Sequence, residues 1–392
     1  MAQAAGLRQG FRAGLAGRPG VWFFEAVLRN LGAAGRAPPA PSDRRGSCKL
    51  RAVFSQASPS DVNASISIPD PRAQQAYDWA LQQLRLPSAD FAPASADASF
   101  RRYFRIVEGA SSWVLMDAPP EKEDCAPFIH VAGLMEQAGL HAPQVLAQDL
   151  ERGFLLLTDL GRQTFLQVID AHNADLLFDA AIDALIRWQQ ATRPGTLPPY
   201  DEALLRRELA LFPDWYVARH LQRPLAPAQL QTLAEVDTLL VRSALAQPRV
   251  YVHRDYMPRN LMVSEPNPGI LDFQDAVEGP ISYDVVSLFK DAFLSWPEER
   301  VRDWAAQYWQ RGRAAGLPLP AAFEDFLRDF EWMGLQRHLK VIGIFARINY
   351  RDGKPHYLAD VPRFIRYVRD VAGRYPELQP LLGLFDELGM KA

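Results

Sequence analysis

Before residue 161, several runs of apolar and polar positions have a strand-like spacing. Two β-rich runs, Phe100–Ile106 and Trp113–Met116, flank a Glu-Gly pair, and Phe154–Thr158 is a compact apolar run. Runs that flank a glycine-containing turn are typical of a β-hairpin, and a short apolar run predicts a buried strand. Helical spacing occurs in the same part at Pro71–Leu86 and Phe128–Gln137.

Beyond residue 161 the spacing becomes helical. Three long amphipathic stretches come first, and a proline at position 213 interrupts the second: Phe165–Gln190, Glu202–Leu221 and Pro227–Ala246. A β-rich island follows at residues 251–273, and from Ser282 to its end the chain again has helical spacing. The change of period indicates two parts of different architecture.

We therefore predict an α+β fold with two lobes. A small β-rich lobe would span residues 66–161, and a large helical lobe with an inserted hairpin would span residues 162–392. A chain of 392 residues is long enough for this arrangement. Its 48% of hydrophobic and 23% of charged residues are typical of a soluble globular protein, and no apolar run is long enough to span a membrane.

Charge is unevenly distributed along the chain. The net charge is −3, but residues 1–60 carry nine Lys or Arg against two acids, a net of +7 that leaves about −10 for the remainder. A mildly acidic body argues against a nucleic-acid partner. The composition of residues 1–65, rich in Ala, Gly, Arg and Pro, predicts a disordered basic extension. A targeting segment is the alternative.

Only two cysteines occur, Cys48 and Cys125, and no short-spaced pair indicates a metal site. We interpret them as reduced thiols of a cytoplasmic protein. No membrane partner is expected, and the chain is expected to act as a monomer.

The β-rich island carries the residues with the clearest chemistry. His253-Arg-Asp255 and Asn260 have the spacing H-R-D-x-x-x-x-N of a kinase catalytic loop. Two apolar strand candidates, Leu261–Val263 and Ile270–Leu271, are joined by a Pro/Asn/Gly turn and should form a hairpin. Since Asn260 precedes the first strand and Asp272 follows the second, both side chains should meet at the open end of the hairpin.

A carboxylate and an amide oxygen at one place suit Mg²⁺, which prefers oxygen ligands and completes its shell with phosphate and water. Asp255, a short loop away, could then accept the proton of an attacking hydroxyl, as phosphoryl transfer requires. Acids on solvated turns are the alternative, which is weak for Asp272 because burying it unpaired would be costly. Asp284, near the start of a helix, could cap that helix or accept a hydrogen bond from His253 or Arg254.

These segments resemble the aminoglycoside and choline phosphotransferases of the protein-kinase-like fold. The resemblance rests on His253-Arg-Asp255, Asn260, Leu271-Asp272-Phe273 and the Gly-Pro-x-x-Tyr-Asp segment that ends at Asp284. Four further strings are similar to one bacterial branch, the anomeric kinases of N-acetylmuramic acid and N-acetylglucosamine used in cell-wall recycling: residues 97–104, 116–121, 157–161 and 336–354. The likeness covers about residues 70–390.

The resemblance implies transfer of the γ-phosphate of ATP, with Mg²⁺, to the C1 hydroxyl of a small amino sugar. It places the adenine between the lobes, against the backbone from Leu157 to Asp159. It places the triphosphate under the loop that includes Ser99 and Arg101.

One feature departs from the wider kinase pattern. A strand lysine that grips the phosphates is expected in the small lobe, but the strand Val114–Met116 has none. We hypothesise that Arg101 or Arg102 meets the phosphate charge instead, with surface charge as the alternative. Residues 92–99, which are small and polar, are expected to form a loop before the first strand.

Candidate sugar contacts come from two segments. Trp215 offers an aromatic face, and one late helix offers three cations, Arg337, Lys340 and Arg347. Sugars are held by hydrogen-bonding groups and aromatic faces, and a lactyl carboxylate favours a cation. A salt-bridged helix face and core aromatic residues are the alternative.

Two other functions stay open. The same fold could act on another alcohol, such as an aminoglycoside or a choline-like amine, although the excess of cations in residues 336–354 favours a neutral or anionic acceptor. The missing lysine also allows a non-catalytic nucleotide-binding protein. The combination of Asp255 with Asn260 and Asp272 argues against this, because binding alone gives no reason to join a base to metal ligands.

Overall fold

The structure, a computed structural model, describes residues 70–96 and 100–391. The extension predicted at residues 1–65 and the phosphate-loop residue Ser99 lie outside the described residues. Within the described ranges, no helix is long and apolar enough to cross a membrane.

A five-stranded antiparallel sheet forms the N-terminal part. Its elements are α1 (Pro71–Leu84), β1 (Asp90–Ala96), β2 (Arg102–Glu108), β3 (Ser111–Asp117), α2 (Ala126–Gln137), β4 (Val145–Asp149) and β5 (Phe154–Thr158). The strand order is β1-β2-β3-β5-β4. The predicted hairpin is β2–β3, in which Phe104 pairs with Leu115. The predicted buried strand is β5, which pairs with β3 and β4.

The sequence does not predict the two edge strands, β1 and β4. The expectation of a loop at residues 92–99 is wrong for residues 92–96, because β1 pairs with β2. Pro93 stands at a shift of the pairing register between Pro93 and Ser95. Proline lacks an N–H group and is tolerated at edges and irregularities of this kind. Small side chains on an edge strand leave no alternating pattern for sequence reasoning to find.

The sheet is buried on both faces. In β5, Phe154 and Leu156 pack with α1 in one apolar cluster, whereas Leu155 and Leu157 belong to the large core that also holds α2. All four side chains are buried. Burial on both faces explains why β5 is a continuous apolar run instead of an alternating one.

The remainder of the chain is mostly helical. Its helices are α3 (Phe165–Val168), α4 (Ala174–Gln190), α5 (Glu202–Leu209), a π-helix (Phe212–His220), α6 (Pro227–Ala246), α7 (Tyr283–Phe289), α8 (Glu298–Ala314), α9 (Phe323–Asp352), α10 (Val361–Ala372) and α11 (Gln379–Glu387), with 3₁₀ turns at Pro258–Asn260, Pro355–Asp360 and Pro376–Leu378. This arrangement confirms the predicted α+β class. The lobe boundaries at residues 66, 161 and 162 stay a prediction.

Two predicted helical stretches are each divided in the structure. Between α3 and α4, the Asp170 carboxylate accepts hydrogen bonds from the backbone N–H groups of His172 and Asn173, and such local bonds compete with the helical ones. The second division falls at Pro213, where the ring cannot continue a regular helix. There α5 ends and the π-helix begins.

Four short strands interrupt the helices: β6 (Arg249–Val252), β7 (Leu261–Met262), β8 (Gly269–Ile270) and β9 (Val277–Pro280). Leu261 pairs with Ile270 in β7–β8, which confirms the predicted hairpin. The sequence does not predict β9, which pairs with β6 and holds the start of the catalytic loop.

The 30-residue helix α9 runs through the helical part and is buried from Phe330 to Ile348. Its Gly343 lies against the backbone where α5 gives way to the π-helix. A Cβ atom at this position would stand 2.3 Å from the carbonyl carbon of Leu211 and 2.6 Å from the nitrogen of Phe212. Only glycine permits this close approach.

Candidate active site

The loop that follows β6 is held by Asp284 of α7. The Asp284 carboxylate accepts hydrogen bonds from the backbone N–H groups of His253 (2.7 Å) and Arg254 (3.0 Å). Ser282, and not Asp284, occupies the cap position before the helix. Of the two roles predicted for Asp284, capping the helix and accepting hydrogen bonds from the catalytic loop, the structure shows the second. Arg254 has a left-handed backbone conformation with φ of 76°, which is costly for a non-glycine residue and persists only where its surroundings fix it.

His253 connects the catalytic loop to the end of the hairpin. Its Nε2 donates a hydrogen bond to the carbonyl oxygen of Leu271 (3.0 Å), and its Nδ1 accepts one from the N–H of Asp255 (3.3 Å). Burial lowers the pKa of His253 to about 4. The imidazole is therefore neutral at physiological pH and serves as a structural link.

Asn260 and Asp272 converge as the hairpin predicts. The Asn260 Nδ2 donates hydrogen bonds to the backbone oxygen of Asp255 (2.9 Å) and to the Asp272 carboxylate (3.3 Å). Gln274 donates a further hydrogen bond to Asp272 (3.1 Å). Asp272, like Arg254, has a left-handed backbone conformation, with φ of 67°. Two left-handed non-glycine residues beside one cleft fit the clustering of backbone strain at functional sites.

The donor set at this point fits a magnesium ion. The amide oxygen of Asn260 and the carboxylate of Asp272 are both oxygen ligands of the type that Mg²⁺ prefers, and the two side chains are in contact. In the part of the chain that the structure describes, no group of three or more Asp, Glu, His or Cys side chains could hold a metal. A site with two protein ligands suits an ion that takes its other ligands from nucleotide phosphates and water.

Asp255 lies in the same loop with a carboxylate oxygen free to accept a proton. The side chain is only 4% exposed, and its Oδ1 has no hydrogen-bond partner among the described residues. Burial raises the pKa of Asp255, and three cations oppose this effect, in decreasing order Lys340, Arg254 and Arg337. A buried carboxylate with an unpartnered oxygen is a suitable acceptor for the proton of a substrate hydroxyl.

Sequence reasoning missed Asp275, which lies three residues after Asp272. Burial raises the pKa of Asp275 to about 6, while the charges of Arg254 and Arg101 oppose this rise. The negative charge of Asp255 also acts on it. Asp275 therefore interacts electrostatically with groups of both the catalytic loop and the N-terminal part. The sequence signal that could have identified Asp275 is its position as a second acid three residues after the metal-ligand candidate Asp272.

A cavity of about 530 Å³ opens between the sheet and the hairpin. The sheet contributes Val114 and Leu157, and the hairpin side contributes Met262 and Leu271. These apolar side chains from two elements give the cavity a lining that suits a flat aromatic base. Several polar residues also line the cavity: Arg105, Thr158, Asp159, Arg259, Asn260 and Asp272. The predicted adenine contacts Leu157 and Asp159 thus lie in one cavity with the predicted metal ligands.

Sequence reasoning also missed Arg105, a strand cation at this cavity. Arg105 contacts the Asp159 carboxylate (2.6 and 2.9 Å) and the backbone oxygen of Gly161 (2.6 Å). Burial raises the pKa of Asp159, but the bonds from Arg105 outweigh it and hold this pKa below its usual value. Arg105 therefore fixes the segment after β5.

The two candidate phosphate cations have different surroundings. Arg102 contacts the carboxylates of Asp70 and Asp117, at the α1 side of the sheet. Arg101 is buried, lies 3.4 Å from the Glu123 carboxylate, and acts electrostatically on Asp275 in the cleft. Of the two, Arg101 is the one whose charge acts on Asp275, although its role in phosphate binding stays a prediction.

The four candidate sugar contacts do not gather at one open surface. Arg337 and Lys340 are 0% and 4% exposed and lie behind the catalytic loop. Arg347 is also buried, further along α9, where burial lowers its pKa to about 10. Trp215 is half-buried on the π-helix, with the Arg219 guanidinium 5.1 Å from its ring. Direct contact with a sugar stays a prediction for all four.

Comparison with known proteins places the chain in a class. A model of the phosphotransferase enzyme family matches residues 90–325, which include the sheet, the catalytic loop and the hairpin. The chain belongs to this family. Among solved structures, an ADP-bound aminoglycoside phosphotransferase has a TM-score of 0.51 at 15% identity, covering 75% of this chain and 97% of that one. An ethanolamine kinase of Plasmodium vivax has a TM-score of 0.54 at 11% identity, covering 77% and 90%. These likenesses show the bilobal protein-kinase-like fold.

Curated relatives at 51–63% identity carry the name N-acetylmuramate/N-acetylglucosamine kinase. The protein of Pseudomonas aeruginosa is 63% identical over 296 residues, which is 76% of this chain and 88% of the relative. That of Pseudomonas putida is 56% identical, covering 81% and 97%. That of Neisseria meningitidis is 51% identical, covering 76% and 90%.

Proposed function

We propose that the chain is an ATP-dependent kinase that phosphorylates the anomeric C1 hydroxyl of N-acetylmuramic acid and N-acetylglucosamine, in peptidoglycan recycling. The observation that carries the proposal is the combination of intact catalytic residues with relatives of 51–63% identity that are named for these two sugars. The cytoplasmic location and the monomeric state predicted from the sequence stay predictions.

The chemistry follows from the positions of three side chains. The Asp255 carboxylate would accept the proton of the sugar hydroxyl as that oxygen forms its bond to the γ-phosphorus of ATP. The bond from this phosphorus to the β–γ bridging oxygen would break, and ADP would leave. Asn260 and Asp272 would hold a bound Mg²⁺, which would neutralise part of the phosphate charge.

The N-terminal part would supply the remaining phosphate contact. We favour Arg101 over Arg102, since Arg102 is engaged by two carboxylates on the α1 side, whereas Arg101 acts on the cleft residue Asp275. An Arg101→Ala variant is then expected to raise the KM for ATP more than an Arg102→Ala variant does. Equal KM values would remove Arg101 from this role.

The test is release of ADP with ATP, Mg²⁺ and a panel of acceptors: N-acetylmuramic acid, N-acetylglucosamine, an aminoglycoside and choline. We expect turnover with the two sugars only. Turnover with the amines alone would favour a kinase of another alcohol, and ATP binding without any turnover would favour a non-catalytic protein. An Asp255→Asn variant, expected to lose about 10²–10⁴ in kcat, controls for contaminating kinases.

The site of phosphorylation can be tested with a blocked acceptor. The methyl glycoside of N-acetylglucosamine lacks a free C1 hydroxyl but keeps the other hydroxyls, so a C1 kinase should not use it. The product from the free sugar should also have lost its reducing end. Turnover of the methyl glycoside, or a product that still reduces, would contradict phosphorylation at C1.

A further inference from the structure

A buried carboxylate next to the catalytic loop accepts hydrogen bonds from four donors in three segments of the chain. Glu208 of α5 is 5% exposed. Its Oε1 accepts hydrogen bonds from Arg254 (2.9 Å) and Lys340 (2.8 Å), and its Oε2 accepts them from Gln336 (3.2 Å) and Tyr200. We call these five residues the Glu208 clamp.

Charge holds the clamp together. Burial would raise the pKa of Glu208, but Lys340 and Arg254 outweigh this effect and lower the pKa to about 2, so the carboxylate is ionised. Lys340 also donates to the Tyr283 hydroxyl (3.0 Å). Removing one member of such a buried set is strongly destabilising, because a charge is left without compensation.

The clamp joins the catalytic loop to helix α9. Arg254 immediately precedes Asp255 and has the left-handed backbone conformation that turns the chain at this point. Its backbone is held by Asp284 and its side chain by Glu208. The direction of the Asp255 side chain therefore depends on both anchors.

Substrate has little access to these groups. Glu208, Arg254 and Lys340 are 5%, 7% and 4% exposed, and the amine of Lys340 is directed at Glu208 and Tyr283. A group in this position can influence the reaction by holding the loop, whereas a sugar contact would need an open face.

We propose that Glu208 is a positioning residue that acts through Arg254 and Lys340 to fix the Asp255 carboxylate for proton transfer. Lys340 then belongs to the support of the catalytic loop and not to the sugar contacts. This inference rests on the proposed function, since it takes Asp255 as the base. Displacement of a catalytic group by about 1 Å can cost about 10²-fold in rate, so loss of the clamp should reduce kcat.

The test compares Glu208→Gln and Lys340→Met with the wild-type chain. We expect kcat to fall about 10- to 100-fold in both, while the KM values for ATP and for the acceptor stay within about threefold of wild type. Lys340→Met keeps the inference testable if Glu208→Gln does not fold, because it leaves the Glu208–Arg254 pair in place. An unchanged kcat, or a raised acceptor KM at unchanged kcat, would overturn it.

Glu331→Gln is the matched control. Glu331 is equally buried, on α9, and accepts hydrogen bonds from Arg374 and Tyr375 instead of the catalytic loop. The Glu331→Gln variant should lose thermal stability but keep the wild-type kcat. If its kcat fell as much as that of Glu208→Gln, the Glu208 clamp would be a general stabilising contact and not a device that positions Asp255. The rates of all variants are compared with whichever acceptor the wild type uses, which can be water in slow ATP hydrolysis.

The role of the Glu208 clamp can therefore be tested even if the wild type turns over neither sugar. That result would reject the proposed substrates without deciding on the clamp.

Discussion

The imidazole of His253 is fully buried between the catalytic loop and the end of the hairpin, and this position has a consequence for stability. Its pKa in the folded chain is about 4, whereas an unperturbed histidine has a pKa of about 6.5. Between these values the unfolded chain binds a proton that the folded chain excludes. Stability is therefore intact above about pH 6.5 and decreases as the pH falls towards 4, by up to about 3 kcal/mol.

We predict that His253→Gln loses less free energy of unfolding than wild type does between pH 7.5 and pH 4.5. Urea unfolding at the two pH values measures this difference. His172→Gln is the control, because His172 is exposed and should keep the wild-type pH dependence. An equal loss in wild type and His253→Gln would contradict the assignment of a neutral buried imidazole.

Asp275 should combine a cost in stability with a benefit in activity. Because burial raises its pKa to about 6, the folded chain binds the proton more tightly than the unfolded chain, and stability falls as the pH rises from about 4 to 6. We predict that Asp275→Asn gains roughly 1–3 kcal/mol of unfolding free energy at pH 8, with no such gain at pH 4.

The same substitution should lower turnover, because the lost charge acts electrostatically on Asp255 and Arg101. Unfolding curves at both pH values and steady-state rates with the sugar check the two parts. A variant with wild-type stability at pH 8 and wild-type turnover would contradict both.

At this scale the sequence predicts residues whose roles depend on local spacing. Asp255, Asn260 and Asp272 were identifiable because a loop of fixed length and a short hairpin bring them together. Glu208 and Arg105 were not, because their partners lie 46 and 54 residues away in the chain and no local pattern marks such a contact.

Among the elements, the close packing of α9 on the π-helix can be tested at Gly343. We predict that Gly343→Ala destabilises the chain by roughly 1–3 kcal/mol, because the new methyl group would overlap the backbone of Leu211 and Phe212. Thermal or urea unfolding measures the loss.

Gly383→Ala in α11 is the matched control. Apart from its chain neighbours and its own helix backbone, no atom of the described residues lies within 4 Å of the position that its Cβ would take. Helix propensity alone should therefore stabilise the chain by up to about 1 kcal/mol. If both variants had the same stability, close packing would not explain the glycine at position 343.

Elements with a strong period or a turn signal could be predicted, and elements defined by their neighbours could not. The β2–β3 hairpin and helix α6 have the expected positions. In the edge strand β1, residues 92–96 are small and carry no alternating pattern, and they form a strand by pairing with β2. Strand β9 is likewise set by β6, which lies about 30 residues earlier in the chain.

For the whole molecule, one core connects the sheet to the helices. The large apolar cluster contains Met116, Leu155 and Leu157 of the sheet together with Phe165 and Phe178 of the helical part. The bilobal class was predictable from the change of period, but this shared core was not. This core joins the elements that line the cavity.

We predict that a chain beginning at Ile66 keeps the activity and stability of the full chain. Every candidate site residue lies after this point, and the family match begins at residue 90. Steady-state rates and a thermal midpoint for both lengths check the expectation. A loss of sugar turnover in the shorter chain would show that the basic extension takes part in the reaction.

The proposed function assigns two roles to neighbouring residues: Asp272 and Asn260 would bind the metal–nucleotide, and Asp255 would accept the proton. A calorimetric titration with ATP and Mg²⁺ of wild type, Asp255→Asn and Asp272→Ala separates them. We predict that Asp255→Asn binds ATP as wild type does, and that Asp272→Ala binds it at least about 10- to 100-fold more weakly. Equal affinity in all three proteins, or weak binding by Asp255→Asn, would contradict this division.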